Sequence, residues 1–177
     1  SRFSVNYRPN DMKVLVIVTH AVAKATHQAL CDALARCFAP PGHRVEIHQA
    51  GEKEDIPDYG RGRLPEGFEG VGAVGGDGTV AAVSDGLVGG AVPLAIVPAG
   101  TGNLFAREFD IPRGIDEAVA LLAGAPRRKT VDVMRIGRRI YVLNASVGIS
   151  ASTVSGTTRA GKHLFGRIAY VAVAILK

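Results

Sequence analysis

No apolar run in this sequence of 177 residues reaches the roughly 18 needed to cross a bilayer. The longest candidate, residues 164–176, is short and directly follows Lys162 and His163. No secretory leader is expected either, because Asp11 and Lys13 stand before the first apolar stretch. Cysteine is scarce. Cys31 and Cys37 are the only two, six residues apart on one predicted helix and on different flanks of it, so a disulfide framework is excluded. Two reduced, partly buried thiols in a cytoplasmic protein is the reading. Internal repeats and low-complexity tracts are missing. So are the P-loop pattern G-x-x-x-x-G-K-[ST] and the dinucleotide fingerprint G-x-G-x-x-G. Ser84 and Asp85 are neighbours whose side chains point apart on a helix, and no Ser-His-Asp order stands out. His20 and His27 have no carboxylate at ligand spacing, so they read as surface histidines rather than a metal site.

What is present is ordinary globular composition, 47% hydrophobic and 21% charged, enough for one full core and part of a second domain. The net charge of +5 is unevenly spread. From Arg113 onward 11 Lys/Arg face three acids, whereas the first 112 residues carry 10 Lys/Arg and 13 acids. Such a split marks an anionic partner (a membrane surface, nucleic acid or a phosphorylated substrate) or simply a solvated face. Arg127-Arg128-Lys129 has the same two readings.

Strand and helix patterns alternate. Residues 13–18 (KVLVIV) form a nearly continuous β-branched run, as a buried parallel strand does. Leu30, Ala33, Leu34, Cys37 and Phe38 then fall on one helical face. Further strands are expected at 45–48, 71–74 and 93–97, with a helix carrying Val80, Val83 and Leu87 after the third and another after the fourth. The implied fold is α/β, an open, mainly parallel sheet with helices on both faces. Residues 52–70 are rich in Gly and Pro and allow only a turn or two of helix. Residues 131–136 and 140–143, joined at Gly137-Arg138-Arg139, read as a β-hairpin. That change of pattern places the domain boundary at 126/127: residues 1–126 form the α/β domain and 127–177 begin a β-rich one.

Two glycine loops carry the chemistry. Gly75-Gly76-Asp77-Gly78-Thr79 lies between a strand and a helix. Glycines there let a ligand approach the backbone closely, and N–H groups at a helix start form an anion site. Thr79 suits either a helix cap or a bond to a phosphate oxygen. Asp77 would repel phosphate, and makes sense if it faces a Mg²⁺ ion, directly or through water, or an attacking hydroxyl. A tight Asp-Gly turn without ligand is the plain alternative, weakened by three glycines in five residues. The second loop, Pro98-Ala99-Gly100-Thr101-Gly102-Asn103, joins strand four to the helix beginning Leu104-Phe105-Ala106-Arg107. In an open parallel sheet both loops emerge on the carboxyl edge, where they can flank one nucleotide.

The pair GGDGT and PAGTGNLFAR, about twenty residues apart, resembles the diacylglycerol kinase catalytic domain family, which includes bacterial lipid kinases and sphingosine kinases. GGDGT alone is shared with NAD kinases, but the second motif argues against that alternative. The likeness extends over most of the chain. Val131-Asp132-Val133 and residues 144–148 look like the family's crossing into its β-rich domain, and residues 165–170 look like a helix within it. The resemblance implies ATP-dependent phosphorylation of a lipid hydroxyl with Mg²⁺. Gly75, Gly76, Gly78, Thr79, Gly100, Thr101 and Gly102 would hold phosphates, Asn103 would contact the nucleotide, and Asp77 would organise Mg²⁺ or the acceptor. Two departures stand out. Where the family carries Asn-Pro-x-Ser-Gly-Lys, this chain has Thr19-His20-Ala21-Val22-Ala23-Lys24, in which only Lys24 matches, as a point charge for phosphate. Where the family often has Asn-Glu, this chain has Ala81-Ala82. Measured against the family, the sequence is expected to stop before the lipid-facing domain is complete, so a non-catalytic nucleotide-binding module is the remaining alternative. The implied partner is a lipid at a membrane surface reached peripherally from the cytoplasm, not nucleic acid. A homodimer is left open.

Overall fold

The computed structural model describes residues 12–39, 42–124 and 128–142, all within one compact unit that runs through Val142. The sequence motifs at 144–148 and 165–170 lie outside the described residues. Strand β1 (Lys13–Thr19) is followed by α1 (Lys24–Cys37), β2 (Arg44–Ala50), α2 (Ile56–Arg63), β3 (Gly70–Gly75), α3 (Asp77–Leu87), β4 (Leu94–Pro98), α4 (Leu104–Glu108) and α5 (Ile115–Ala123). The hairpin β5 (Met134–Ile136) and β6 (Arg139–Tyr141) completes the described part.

The first four strands form one parallel sheet in the order β2-β1-β3-β4. The chain runs from β1 outward to β2, returns past β1 to β3, and continues to β4. With right-handed crossovers, that order puts α1 on one face and α2 and α3 on the other. The packing agrees: α1 lies against α5, and α2 against α3. This is the α/β architecture that the alternating pattern predicts.

The core sits on both sides of β1. Val14, Val16 and Val18 pack with Leu30, Ala33, Leu34 and Phe38 of α1 and with Val119 and Leu122 of α5. The alternate residues Leu15 and Ile17 are equally buried and face the other layer. Leu122 lies over β3 where Gly70 and Gly72 leave it room; a Cβ on Gly72 would come within 3.2 Å of its methyl group. Cys31 and Cys37 form no disulfide and are half-buried.

Segment 52–70 holds α2 and, directly after it, a 3₁₀ turn over Leu64–Glu66, about one turn more than its Gly and Pro content suggests. Asp55 caps α2 by accepting from the Asp58 N–H at 3.1 Å, and Pro57 sits in the first turn, where a missing N–H costs nothing. Gly60 meets Gly86 of α3 backbone to backbone, so tertiary contact offsets poor helix propensity. The predicted hairpin is present but shorter. Gly137 has φ 61 at the first turn position and Arg138 does not have positive φ, the signature of a II′ turn. Strand β6 packs against α3, and Ile140 is buried.

Candidate functional site

The sheet changes direction between β1 and β3, and the crevice outside their carboxyl ends is where such sheets bind ligands. Thr19 ends β1 and Gly75 ends β3 at this point. The Thr19 methyl lies 3.0 Å from where a Cβ on Gly75 would stand. Thr79 crowds the same place from the helix, its Oγ1 2.4 Å away, so Gly75 is a glycine because two side chains use its space.

Gly76, not Thr79, is the N-cap of α3. Thr79 falls at the third helical position and is buried, with its hydroxyl turned toward Gly75. Of the two roles its type allows, capping is therefore not made. No side chain caps α3; the Thr79 N–H turns back to the Gly76 carbonyl at 3.0 Å, and the Asp77 and Gly78 N–H groups before it have no intrahelical carbonyl. Gly78, in that first turn, is exposed, has ordinary φ, and has nothing within 4 Å of a would-be Cβ. Neither packing nor backbone conformation accounts for a glycine there.

The second loop folds onto the first. A Cβ on Gly100 would fall 2.4 Å from the Gly76 Cα, so the two loops touch backbone to backbone. Asn103 has φ 46, and its side chain closes the loop on itself. It accepts from the Gly100 N–H at 3.0 Å and donates to the Gly100 carbonyl at 2.7 Å. Asp77 reaches across from α3: its Oδ1 accepts from the Phe105 N–H of α4 at 3.1 Å.

Thr19, Gly75, Gly76, Asp77, Thr79, Gly100, Gly102 and Asn103 are thus one connected set. Thr101 is exposed on the second loop. Lys24 is exposed at the start of α1 and makes no ion pair among the described residues. Arg107 is exposed on α4. Among the described residues no three of His, Cys, Asp and Glu gather as a metal site, so Asp77 stands as a single carboxylate.

Sequence reasoning missed a neighbouring groove of about 320 Å³ lined by Lys53, Glu54, Asp55, Ile56, Pro57 and Ala82. Its wall is held by Glu54. One carboxylate oxygen accepts from the Gly51 N–H at 2.8 Å and the other meets His48 Nε2 at 2.6 Å. The Gly51 bond foremost, with His48 second, keeps the Glu54 carboxyl below its ordinary range against the opposing effect of burial. The Tyr59 ring stacks on His48 at 3.7 Å. The signal available was Ala81-Ala82, whose small side chains leave this space open.

The family model described as diacylglycerol kinase catalytic domain matches residues 13–136. A probable lipid kinase YegS-like protein of Stenotrophomonas maltophilia is 33% identical over 146 residues, covering 77% of this chain and 47% of its own length. One from Citrobacter koseri is 32% identical, covering 82% of this chain and 50% of its own. The crystal structure of a diacylglycerol kinase from Bacillus anthracis superimposes with a TM-score of 0.64 at 27% identity, over 86% of this chain and 53% of that one. The chain spans about half the length of the curated relatives it matches.

Proposed function

The chain belongs to the diacylglycerol kinase catalytic domain family, and we propose that it is the nucleotide-binding half of an enzyme that transfers the γ-phosphoryl group of ATP to the hydroxyl of diacylglycerol or a related lipid. The observation that carries this reading is the loop pair: two glycine loops packed Cα on Cα at the turning point of the sheet, beside a helix start that no side chain caps. Free N–H groups at the positive end of α3 are an anion site. Gly78 leaves the space above them open, and the exposed Gly100, Thr101 and Gly102 border it. Lys24 supplies a cation from the start of α1. The groove beside Ala82 has the size of a small-molecule site, and takes the rest of the nucleotide.

Mg²⁺ suits this donor set, since in phosphate sites it is commonly held by one or two carboxylates together with the phosphates and water. Asp77 would hold it through water, and the ion would neutralise charge on the phosphates. The residues of this chain contribute positioning and charge neutralisation, on which phosphoryl transfer mostly depends. Attachment to the membrane is peripheral and electrostatic, through the basic excess after Arg113.

Calorimetric titration with ADP and ATP tests the binding half of the reading: saturable heat is expected, strengthened by Mg²⁺. A folded chain that gives no heat at millimolar nucleotide overturns it. In a protein of the relatives' full length, labelled γ-phosphate should pass from ATP to diacylglycerol in anionic vesicles, less so as salt rises. Label transferred to NAD instead would replace the lipid with a dinucleotide as acceptor.

A further inference from the structure

Helix α4 begins after Asn103, a residue type whose side chain at the N-cap ordinarily accepts from an N–H two or three positions on. Here the Asn103 backbone is left-handed, at φ 46 and ψ 49, and its amide is committed to both polar groups of Gly100. The Phe105 N–H that it would have capped is taken instead by Asp77, 28 positions earlier in the chain and on a different helix, at 3.1 Å. The other Asp77 oxygen, Oδ2, lies 3.0 Å from where a Cβ on Gly102 would stand. The carboxylate therefore occupies the space that a side chain at position 102 would fill. Phe105 itself is 3% exposed, so α4 is anchored in the core right at the tie.

We propose that Asp77 is a positioning residue. It caps α4 from across the loop pair and thereby sets where Gly100, Thr101 and Gly102 stand relative to the N-terminus of α3. The proposal rests on reading the loops as a phosphate cradle, and gives Asp77 a duty that needs no metal ion. It also assigns a reason to Gly102, which is a glycine to admit the Asp77 carboxylate. A bond to a charged acceptor is stronger than one between neutral groups, so the tie is firm. It requires an acceptor oxygen at this place more than it requires a charge.

Amide hydrogen exchange at Phe105, read in the whole chain for the parent, Asp77→Asn, Asp77→Ala and Gly102→Ala, tests this. Asp77→Ala should lose at least about tenfold of the Phe105 protection, as loss of a hydrogen bond to a charged group implies. Asp77→Asn keeps an oxygen in place and should stay within about threefold of the parent, the smaller difference expected between charged and neutral acceptors. Gly102→Ala, which presses on Oδ2, should fall between them. ADP affinity without Mg²⁺ should follow the same order, with Asp77→Ala weaker than Asp77→Asn. Phe105 protection unchanged in Asp77→Ala overturns the proposal. So does Asp77→Asn as damaged as Asp77→Ala, which would mean that the charge and not the acceptor matters. A parent that binds no ADP removes the phosphate-cradle reading, while the exchange comparison still decides the tie. Should Asp77→Ala not fold, an unchanged Phe105 amide in Gly102→Ala counts against the proposal.

Discussion

The β2–α2 side and the β3–β4 side of the sheet are held by different physics. Around β2 and α2, charged side chains do the holding. Glu54 ties His48 to the backbone, Lys13 and Arg63 share Glu46 and Glu66, and Arg61 reaches Asp58 and the buried Asp85. Around β3 and β4, backbone lies on backbone at Gly76 and Gly100, and the ties are amide or carboxylate to N–H. Side-chain links tolerate substitution and respond to pH and salt. Backbone contact admits no Cβ and responds to neither. The loop pair proposed to approach a ligand is the part where backbone meets backbone, because a side chain at Gly76 or Gly100 would stand in that contact.

The largest effect should come from the side that admits no Cβ. Gly100→Val puts its Cβ onto the Gly76 Cα and should cost about 3 kcal/mol in chemical denaturation, the upper end of overpacking penalties. Nucleotide binding should be lost with it. Gly78→Ala sharpens the contrast. It meets nothing and sits in a helical turn, so it should leave stability unchanged or raise it by about 0.5 kcal/mol, while weakening nucleotide binding. If Gly78→Ala binds as the parent does, the open space above it is not where phosphate lies.

A middling effect belongs to Glu54. Its folded pKa lies below its unfolded value, so its contribution is present above the ordinary carboxylate range and lost as pH falls through the folded value. Glu54→Gln should lower stability by about 1 kcal/mol at pH 7, the scale of one typical intramolecular hydrogen bond. The gap to the parent should close progressively below about pH 5, as the parent's carboxyl also becomes neutral. Thermal melts of both proteins from pH 7 to 3 measure this, and a gap that stays constant throughout would remove Glu54 as the groove's clasp.

The smallest effect is expected at Glu46. It is half-buried between Lys13 and Arg63, and against desolvation, which raises its carboxyl, hydrogen bonds and charge from Arg63 and Lys13 together hold it below the ordinary range. Glu46→Gln should shift the melting temperature only slightly at low salt, and the shift should vanish at about 1 M salt, where screening acts within ~3 Å. A shift that survives high salt would show packing, not charge, at this corner.

Much of the fold was legible because burial writes periodicity into sequence. The run Val14 to Val18 has no polar interruption because both faces of β1 are covered, and Leu30, Ala33, Leu34 and Phe38 repeat as a helix face must. The loops were legible as glycine at two strand-to-helix joints. Their place on one edge of the sheet was legible too; the contact between them was not. A glycine names no partner, so nothing in the sequence joins Gly76 to Gly100 or Asp77 to the N–H of Phe105. Backbone donors are the same at every residue. Helix α2 was only half legible, since its Gly60 lowers propensity locally and is repaid by a contact with Gly86, 26 positions later.

The place of β1 in the sheet has a consequence for the chain's birth. Val14 pairs with Val45 on one side and Gly70 on the other, so β1 gains its second neighbour only when β3 is made. Until Gly75 has left the ribosome, a five-residue apolar run stands with one flank bare. At roughly 5–20 residues per second, translating the intervening stretch of about sixty residues takes on the order of 3–12 seconds. That is long compared with collapse of so short a chain, about 0.1–1 microseconds, so a strand covered on both faces in the finished protein spends seconds in need of shelter while it is made.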